Sequence, residues 1–161
     1  MLAGGLYAAQ YADQFLGRAP ERAALARQAD ESRQPAASGR SLTVDADRAG
    51  HFKVEGRIDG RRLDFMVDTG ASVVALRQSD AETIGIRPVP RDFTASVSTA
   101  NGTIKAARAN LSRIDVGGIA VHDVAALVLP DEALGQNLLG VSFLSRLRRY
   151  EYANGRLVLE Q

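Results

Sequence analysis

The 161-residue chain contains no cysteine, which excludes disulfide bonds, a thiol nucleophile and thiolate metal ligands. Its only two histidines, His51 and His122, lie far apart in the sequence. Because neither has another histidine at ligand-like spacing, no metal site is predicted. The composition therefore favours chemistry that requires neither a metal nor another cofactor.

Long apolar runs are also absent, since no segment reaches the roughly 18 to 20 apolar residues that a membrane-spanning helix needs. The formal net charge is only +1, so no general attraction to nucleic acid or to anionic lipid is expected. Residues 1–17 are mildly apolar but carry Asp13 and lack a basic region and a cleavage site, which makes them a poor signal peptide. A loosely helical tail is the favoured interpretation of this segment, and a remnant of a membrane-proximal segment is the alternative.

The composition changes near residue 50. Residues 18–50 are rich in Ala, Arg, Gln, Asp and Glu and have few apolar anchors, as is typical of a linker. Beyond them, apolar residues alternate and turn signals recur, which indicates short strands and an all-β barrel or sandwich. We therefore expect residues 1–49 to be a tail or linker and residues 50–161 to be one folded domain.

Three dipeptides predict tight β-hairpins, because their residues tolerate the positive φ angles of two-residue turns: Asp59-Gly60, Asn101-Gly102 and Asn154-Gly155. A helical turn is predicted over residues 79–86, with Ser79 as its N-cap. The spacing of Phe143, Leu144 and Leu147 predicts a second short helix near the carboxyl end.

The stretch FMVDTGASVV, residues 65–74, places one carboxylate, Asp68, between two apolar runs. A charged group in such surroundings loses hydration, so its ionised form is disfavoured unless something compensates. Gly70 lets main-chain N–H groups approach the carboxylate, and Ala71 keeps the crevice narrow. A turn aspartate that caps its own backbone is the simpler interpretation of the tripeptide alone.

Two such carboxylates held about 3 Å apart share a single proton, because they do not both ionise easily. One then takes a proton from water while the other protonates a carbonyl oxygen, which is the chemistry of peptide hydrolysis. The sequence contains a single copy of the loop and no internal repeat. A second copy would have to come from a second chain, by two-fold symmetry.

The motif FMVDTGAS resembles the active-site signature of retropepsin-like aspartic proteases. The hairpin tipped by Ala100-Asn101-Gly102-Thr103 falls where that family has its flap, and NLLGVSFL, residues 137–144, resembles the segment that precedes its last helix. Residues 51–161 are most similar to a bacterial single-domain group within this family. The resemblance implies a closed all-β barrel with a flap hairpin and one short C-terminal helix, whose half-site is completed by homodimerisation.

The resemblance also implies roles for particular residues. Asp68 would be the catalytic acid and base, Thr69 would bond across the dimer axis, and Gly70 would support the carboxylate. Leu138, Leu139 and Gly140 would support the loop from behind. The substrate-binding residues implied are Ala71, Thr99, Ala100, Asn101, Gly102 and Thr103, and the pockets would include Leu76, Val97 and Ile104.

The implied activity is that of an aspartic endopeptidase that acts on proteins or peptides. A catalytically silent module that binds peptides or dimerises is the alternative, as is a protein whose function lies in its amino-terminal region. By the same resemblance the protein would be membrane-associated, with a tether and a periplasmic face, although a cytoplasmic location stays open. No nucleic-acid partner is expected, because Glu151 accompanies the basic and aromatic residues of RLRRYEY.

Overall fold

The structure is a computed structural model that describes residues 39–99 and 102–161. This part of the chain is mostly β, with two short α-helices and one 3-10 helix, Pro90–Asp92. The helices are α1 (Gln78–Thr83) and α2 (Val141–Leu144). The strands are β1 (Ser41–Asp45), β2 (Lys53–Ile58), β3 (Arg61–Val67), β4 (Val74–Arg77), β5 (Ala95–Thr99), β6 (Gly102–Val116), β7 (Ile119–Leu129), β8 (Asn137–Leu139), β9 (Arg149–Ala153) and β10 (Arg156–Glu160).

Six of these strands form a closed barrel in the order β2-β3-β8-β4-β7-β6, because β6 also pairs with β2. The pairs β3–β8 and β4–β7 are parallel, and the other pairs in the barrel are antiparallel. Strand β5 is not part of the closed barrel. It pairs with the first residues of β6, 102–106, to form a two-stranded ribbon, called here the β5–β6 ribbon. The expected all-β closed barrel is confirmed.

Two of the three predicted hairpin turns form where the sequence placed them. Asp59 and Gly60 have φ angles of 49° and 83° and join β2 to β3, as a type I′ turn requires. Asn154 and Gly155, with φ angles of 53° and 74°, join β9 to β10 in the same way. The predicted Asn101-Gly102 turn is displaced, because Gly102 is the first residue of β6 and pairs with Thr99, and Asn101 lies outside the described residues.

The main core fills the barrel because the strands turn alternate residues inward. Gly56 on β2 illustrates the close fit, since a Cβ built there would lie 2.8 Å from the Phe65 ring. The core extends under the sheet of β1, β9 and β10 through Leu157 and Leu159. Its largest fully buried side chains are Phe65, Phe143, Ile58, Leu76, Leu111, Ile114, Ile119, Leu139, Leu144, Leu159, Val74 and Val116.

A second sheet, in the order β1-β10-β9, packs its apolar face on the barrel. Strand β1 lies within the stretch for which a tail was predicted, and Leu42 and Val44 on it are half-buried. The alternation of SLTVD covers five residues in polar surroundings, which is too short to stand out as a strand signal. The structured part of the chain therefore begins ahead of residue 50.

Helix α1 begins at Gln78, so the prediction of Ser79 as its N-cap is wrong. The backbone N–H of Ser79 instead donates to the carboxylate of Asp131, 3.1 Å away, and this distant residue supplies the cap. Gly85, with φ of 91°, follows the C-cap residue Ile84 and ends the helical turn within the predicted range.

Within residues 39–99 and 102–161, no helix is long and apolar enough to cross a membrane. The amino-terminal segment 1–17, for which two interpretations were given, lies outside the described residues.

Candidate active site

Asp68 opens the loop between β3 and β4, residues 68–73, called here the aspartate loop. Because β3 pairs with β8 in parallel, the backbone N–H of Asp68 meets the carbonyl oxygen of Leu139 at 3.2 Å. The Asp68 side chain is half-buried, and its Oδ1 accepts a hydrogen bond of 2.8 Å from the backbone N–H of Gly70. A Cβ at position 70 would lie only 3.1 Å from that oxygen, so glycine allows this close approach.

The segment Leu139–Ser142 holds the aspartate loop from behind. The N–H of Val141 donates to the carbonyl oxygen of Ala71 at 2.8 Å, and the N–H of Ser142 donates to that of Ser72 at 3.1 Å. Gly140 lies so close to the loop that a Cβ there would be 2.2 Å from the Val73 carbonyl oxygen. The predicted packing of Leu139 and Gly140 behind the aspartate is therefore confirmed, whereas Leu138 packs in a separate apolar cluster with Ala75.

Asn137, at the start of β8, is an anchor that sequence reasoning missed. It is the one polar residue among the buried side chains of the described residues, with 3% of its surface exposed. Its amide donates to the Asp64 carbonyl oxygen and to Asp80 Oδ2, and its Oδ1 accepts from the Arg77 N–H at 2.9 Å. These bonds fix β8 between β3 and β4, the strands that flank the aspartate loop. An asparagine directly before the apolar run Leu138-Leu139 was the available signal.

A second, smaller apolar cluster lies outside the barrel, between its wall and the β5–β6 ribbon. Its buried members are Ala75, Ala106 and Leu129. The partly buried side chains Val97, Ile104, Leu127, Leu134 and Leu138 pack against them. Val97 and Ile104 therefore face the barrel wall, and their role as pocket residues stays a prediction.

Leu76 does not belong to this cluster, and its prediction as a pocket residue is wrong. It is fully buried in the main core, whereas its neighbour Ala75 faces the ribbon. Successive side chains of a strand point to opposite faces, so only one of these two neighbours faces each side.

The other predicted substrate-binding residues are divided between the loop and the ribbon. Thr69 is exposed, Ala71 is half-buried, and within the described residues the Thr69 side chain forms no hydrogen bond. Thr103 pairs with Ser98 and alternates with Ile104, so it points away from the apolar cluster. Ala100 and Asn101 lie outside the described residues.

Asp131, which follows β7, accepts hydrogen bonds from Ser79 that hold the pKa of its carboxyl below the ordinary value. Arg77 lies 3.4 Å from the same carboxylate and acts in the same direction. Across residues 39–99 and 102–161, no three His, Asp or Glu side chains are grouped so as to bind a metal ion.

Two relatives align with 68% of the chain. One, an uncharacterised protein from the cobV 5′ region of a Sinorhizobium species, is 41% identical over 110 residues. The other, uncharacterised protein RP867 of Rickettsia prowazekii (strain Madrid E), is 33% identical over 110 residues. Each alignment covers 47% of the relative, so the chain spans about half the length of these proteins.

A solved structure has the same fold. The crystal structure of a retropepsin-like aspartic protease from Rickettsia conorii matches with a TM-score of 0.68 and 32% sequence identity. The match covers 76% of this chain and 91% of that one.

The family described as "gag-polyprotein putative aspartyl protease" matches residues 54–146, which is more than half of the chain. The matched region runs from β2 to the end of α2, and so contains the barrel, the ribbon and the aspartate loop with the segment behind it. The chain therefore belongs to this family of retropepsin-like aspartyl proteases.

Proposed function

We propose that the protein is an aspartic endopeptidase that acts as a homodimer, with one Asp68 from each chain. The observation that carries this proposal is the anchored loop. One barrel presents one Asp-Thr-Gly sequence, and the Gly70 N–H and the Leu139 carbonyl oxygen hold its aspartate in place. Retropepsin-like proteases act on peptide bonds, so a single anchored aspartate is half of the required site.

In the proposed dimer the two Asp68 carboxylates lie close together and hold one proton between them. The unprotonated carboxylate removes a proton from a water molecule, which attacks the peptide carbonyl carbon. The protonated carboxyl donates its proton to the carbonyl oxygen. No covalent intermediate with the enzyme forms. The role of the aspartate loop is therefore to hold the Asp68 carboxylate in position.

The edge of the second sheet supports two-fold assembly. Among the residues that the structure describes, strand β9 pairs with β10 on one side only, and an edge strand offers unpaired backbone groups to another strand. Tyr150 and Tyr152 on this strand are 42% and 66% exposed, which is high for large aromatic side chains. The Tyr152 ring contacts that of Phe52 at 5.6 Å, and the carbonyl oxygen of Phe52 accepts from Val67, the residue before Asp68. A symmetric contact through β9 would therefore form next to the aspartate loop.

The remaining roles belong to the same proposal. Thr69 is placed at the dimer axis, where its exposed hydroxyl would meet the partner's loop. Gly70 supports the carboxylate, and Ala71 borders the substrate. The ribbon end, from Thr99 to Thr103, closes over the bound peptide, whose apolar side chains meet Val97 and Ile104. The protease domain is proposed to comprise residues 50–161 together with strand β1, and the residues before β1 are proposed as a tail or tether.

The test is Asp68→Asn, which keeps the shape of the side chain but removes its acid–base chemistry. We expect cleavage of a denatured proteome, read by mass spectrometry of new peptide termini, to be abolished while the fold and the dimer persist. Asp64→Asn is the matched control, because its exposed side chain lies four residues earlier on β3. Cleavage by the Asp68→Asn protein at the wild-type level would refute the proposal.

Mixing the two proteins tests the shared site. If an active site needs both aspartates, equal amounts of wild type and Asp68→Asn after subunit exchange leave about one quarter of the dimers active. Activity proportional to the wild-type fraction would instead indicate that one chain suffices. Peptide binding by the wild type without any product over a long incubation would favour the silent binding module.

A further inference from the structure

We propose that the Ser142 hydroxyl is a positioning group for the aspartate loop, an inference that rests on the proposed function. Ser142 is the second residue of α2 and lies 74 positions after Asp68 in the chain. The motif NLLGVSFL contains this serine, but the sequence assigned it no role, because a serine within an apolar segment has no distinctive pattern. Its importance follows from the two hydrogen bonds of its side chain.

The hydroxyl joins two strands where their ladder begins. Ser142 Oγ accepts a hydrogen bond of 3.0 Å from the N–H of Val74 and donates one of 2.8 Å to the carbonyl oxygen of Ala125. Val74 is the first residue of β4 and pairs with Ala126 of β7. One side-chain oxygen thus joins the end of the aspartate loop to the barrel wall.

The backbone of the same residue holds the loop one step earlier, since the Ser142 N–H donates to the Ser72 carbonyl oxygen at 3.1 Å. Together with the bonds from Asp68 to Leu139 and from Val141 to Ala71, this makes four contacts along the loop. Of these four, the bond to Val74 alone depends on a side chain. A substitution at position 142 therefore removes one contact and leaves the three backbone contacts possible.

Loss of the hydroxyl leaves the Val74 N–H to find a new partner, whereas the carbonyl oxygen of the exposed Ala125 can bond to water instead. The Val74 side chain is fully buried, so its N–H has little access to bulk water. The strand end is then expected to shift, and the loop that starts at Asp68 shifts with it. Because the proposed chemistry needs two carboxylates at a fixed separation, a displacement of about 1 Å is enough to lower turnover strongly.

The first measurement is kinetic. We expect Ser142→Ala to lower kcat about tenfold or more, with a smaller effect on KM, because the groove and its apolar cluster are unchanged. The pH dependence of kcat should also change shape, since the coupling between two carboxylates depends on their separation. Ser142→Thr keeps the hydroxyl and should restore most of the activity. Ser145→Ala, an exposed serine after the same helix, should leave activity unchanged.

A merely structural role would lower the unfolding temperature but not kcat of the folded dimer, so both are measured at the same protein concentration. An unchanged kcat and pH profile in Ser142→Ala would overturn the inference.

The second measurement does not require activity. Amide hydrogen exchange should be faster at residues 68–74 in Ser142→Ala than in wild type, and Ser142→Thr should reverse the change. If the wild type cleaves nothing but this local change is seen, the proposed function fails while the hydroxyl still holds the loop. Exchange that is unchanged at these residues would overturn the positioning role whatever the activity.

Discussion

The aspartate loop and the β5–β6 ribbon are held in opposite ways, although both belong to the candidate site. The loop is bonded along its length to Leu139, Val141 and Ser142, and Gly140 leaves no space behind it. In the described part of the ribbon, β5 pairs with β6 alone. Its contact with the barrel wall is an apolar cluster with three buried residues.

This difference matches the tasks proposed for the two regions. Catalytic groups must keep a fixed geometry, so they are placed where backbone hydrogen bonds and close packing allow little movement. A cover over the substrate must open and close, so it has few buried contacts and low local stability. The candidate site therefore consists of a tightly held aspartate loop and a ribbon that contacts the barrel through a small apolar cluster.

The largest expected effect comes from filling the space behind the aspartate loop. Gly140→Ala would place a Cβ 2.2 Å from the Val73 carbonyl oxygen and 2.6 Å from that of Ala71. Because both contacts are to backbone, we expect a loss of about 3 kcal/mol in the free energy of unfolding. Urea unfolding followed by circular dichroism measures this loss.

Gly135→Ala is the control for this change, since a Cβ there has nothing within 4 Å. Equal stabilities of the two alanine variants would show that the aspartate loop is held less tightly by the segment behind it than the structure indicates.

A smaller effect separates two neighbouring leucines. Leu139 is fully buried in the main core, whereas Leu138 packs in the cluster beneath the ribbon. Leu139→Ala should cost about 2–5 kcal/mol of stability. Leu138→Ala should cost about 1 kcal/mol and raise KM more than it lowers kcat, because its cluster lies beneath the ribbon that is proposed to cover the substrate.

Thermal unfolding and steady-state kinetics on the same samples measure both quantities. If the two variants lost equal stability, or if Leu138→Ala left KM unchanged, the cluster would be part of the core rather than of a substrate site.

The smallest effect concerns Asp131, which lies in the loop between β7 and β8 that also carries Leu134 of the cluster. Hydrogen bonds from Ser79 lower the pKa of the Asp131 carboxyl in the folded protein. The resulting stabilisation is present above the pKa of the unfolded chain and is lost as the pH falls through the lowered folded value. Asp131→Asn should therefore be less stable than wild type near neutral pH, and the difference should shrink in acid.

Unfolding temperatures measured from neutral pH to below the ordinary aspartate pKa test this prediction. Glu132→Gln serves as the control, because within the described residues the neighbouring Glu132 forms no hydrogen bond or ion pair. A constant difference between Asp131→Asn and wild type across the pH range would contradict the assigned cause.

Local chemistry was sufficient to predict much of the fold. The Asp59-Gly60 and Asn154-Gly155 turns form because few other dipeptides adopt two successive positive φ angles without strain. The closed barrel was expected because the motif FMVDTGAS and the segment around Gly140 resemble those of retropepsin-like proteases. Strand β1 was missed because its partner, β10, is more than 100 residues away in the chain. The cap of α1 was misplaced because Asp131, 52 positions after Ser79, supplies it.

By itself, the sequence determined the aspartate, the glycine beside it and the alternation of apolar residues, because each depends on neighbours only a few positions away. The tertiary structure alone decided that Ala75 rather than Leu76 faces the ribbon, and that Asn137 and Ser142 hold the strands around Asp68. The physical reason is that a hydrogen bond or a packed contact between distant strands depends on register and closure. Register and closure are properties of the assembled barrel, and no short stretch of residues contains them.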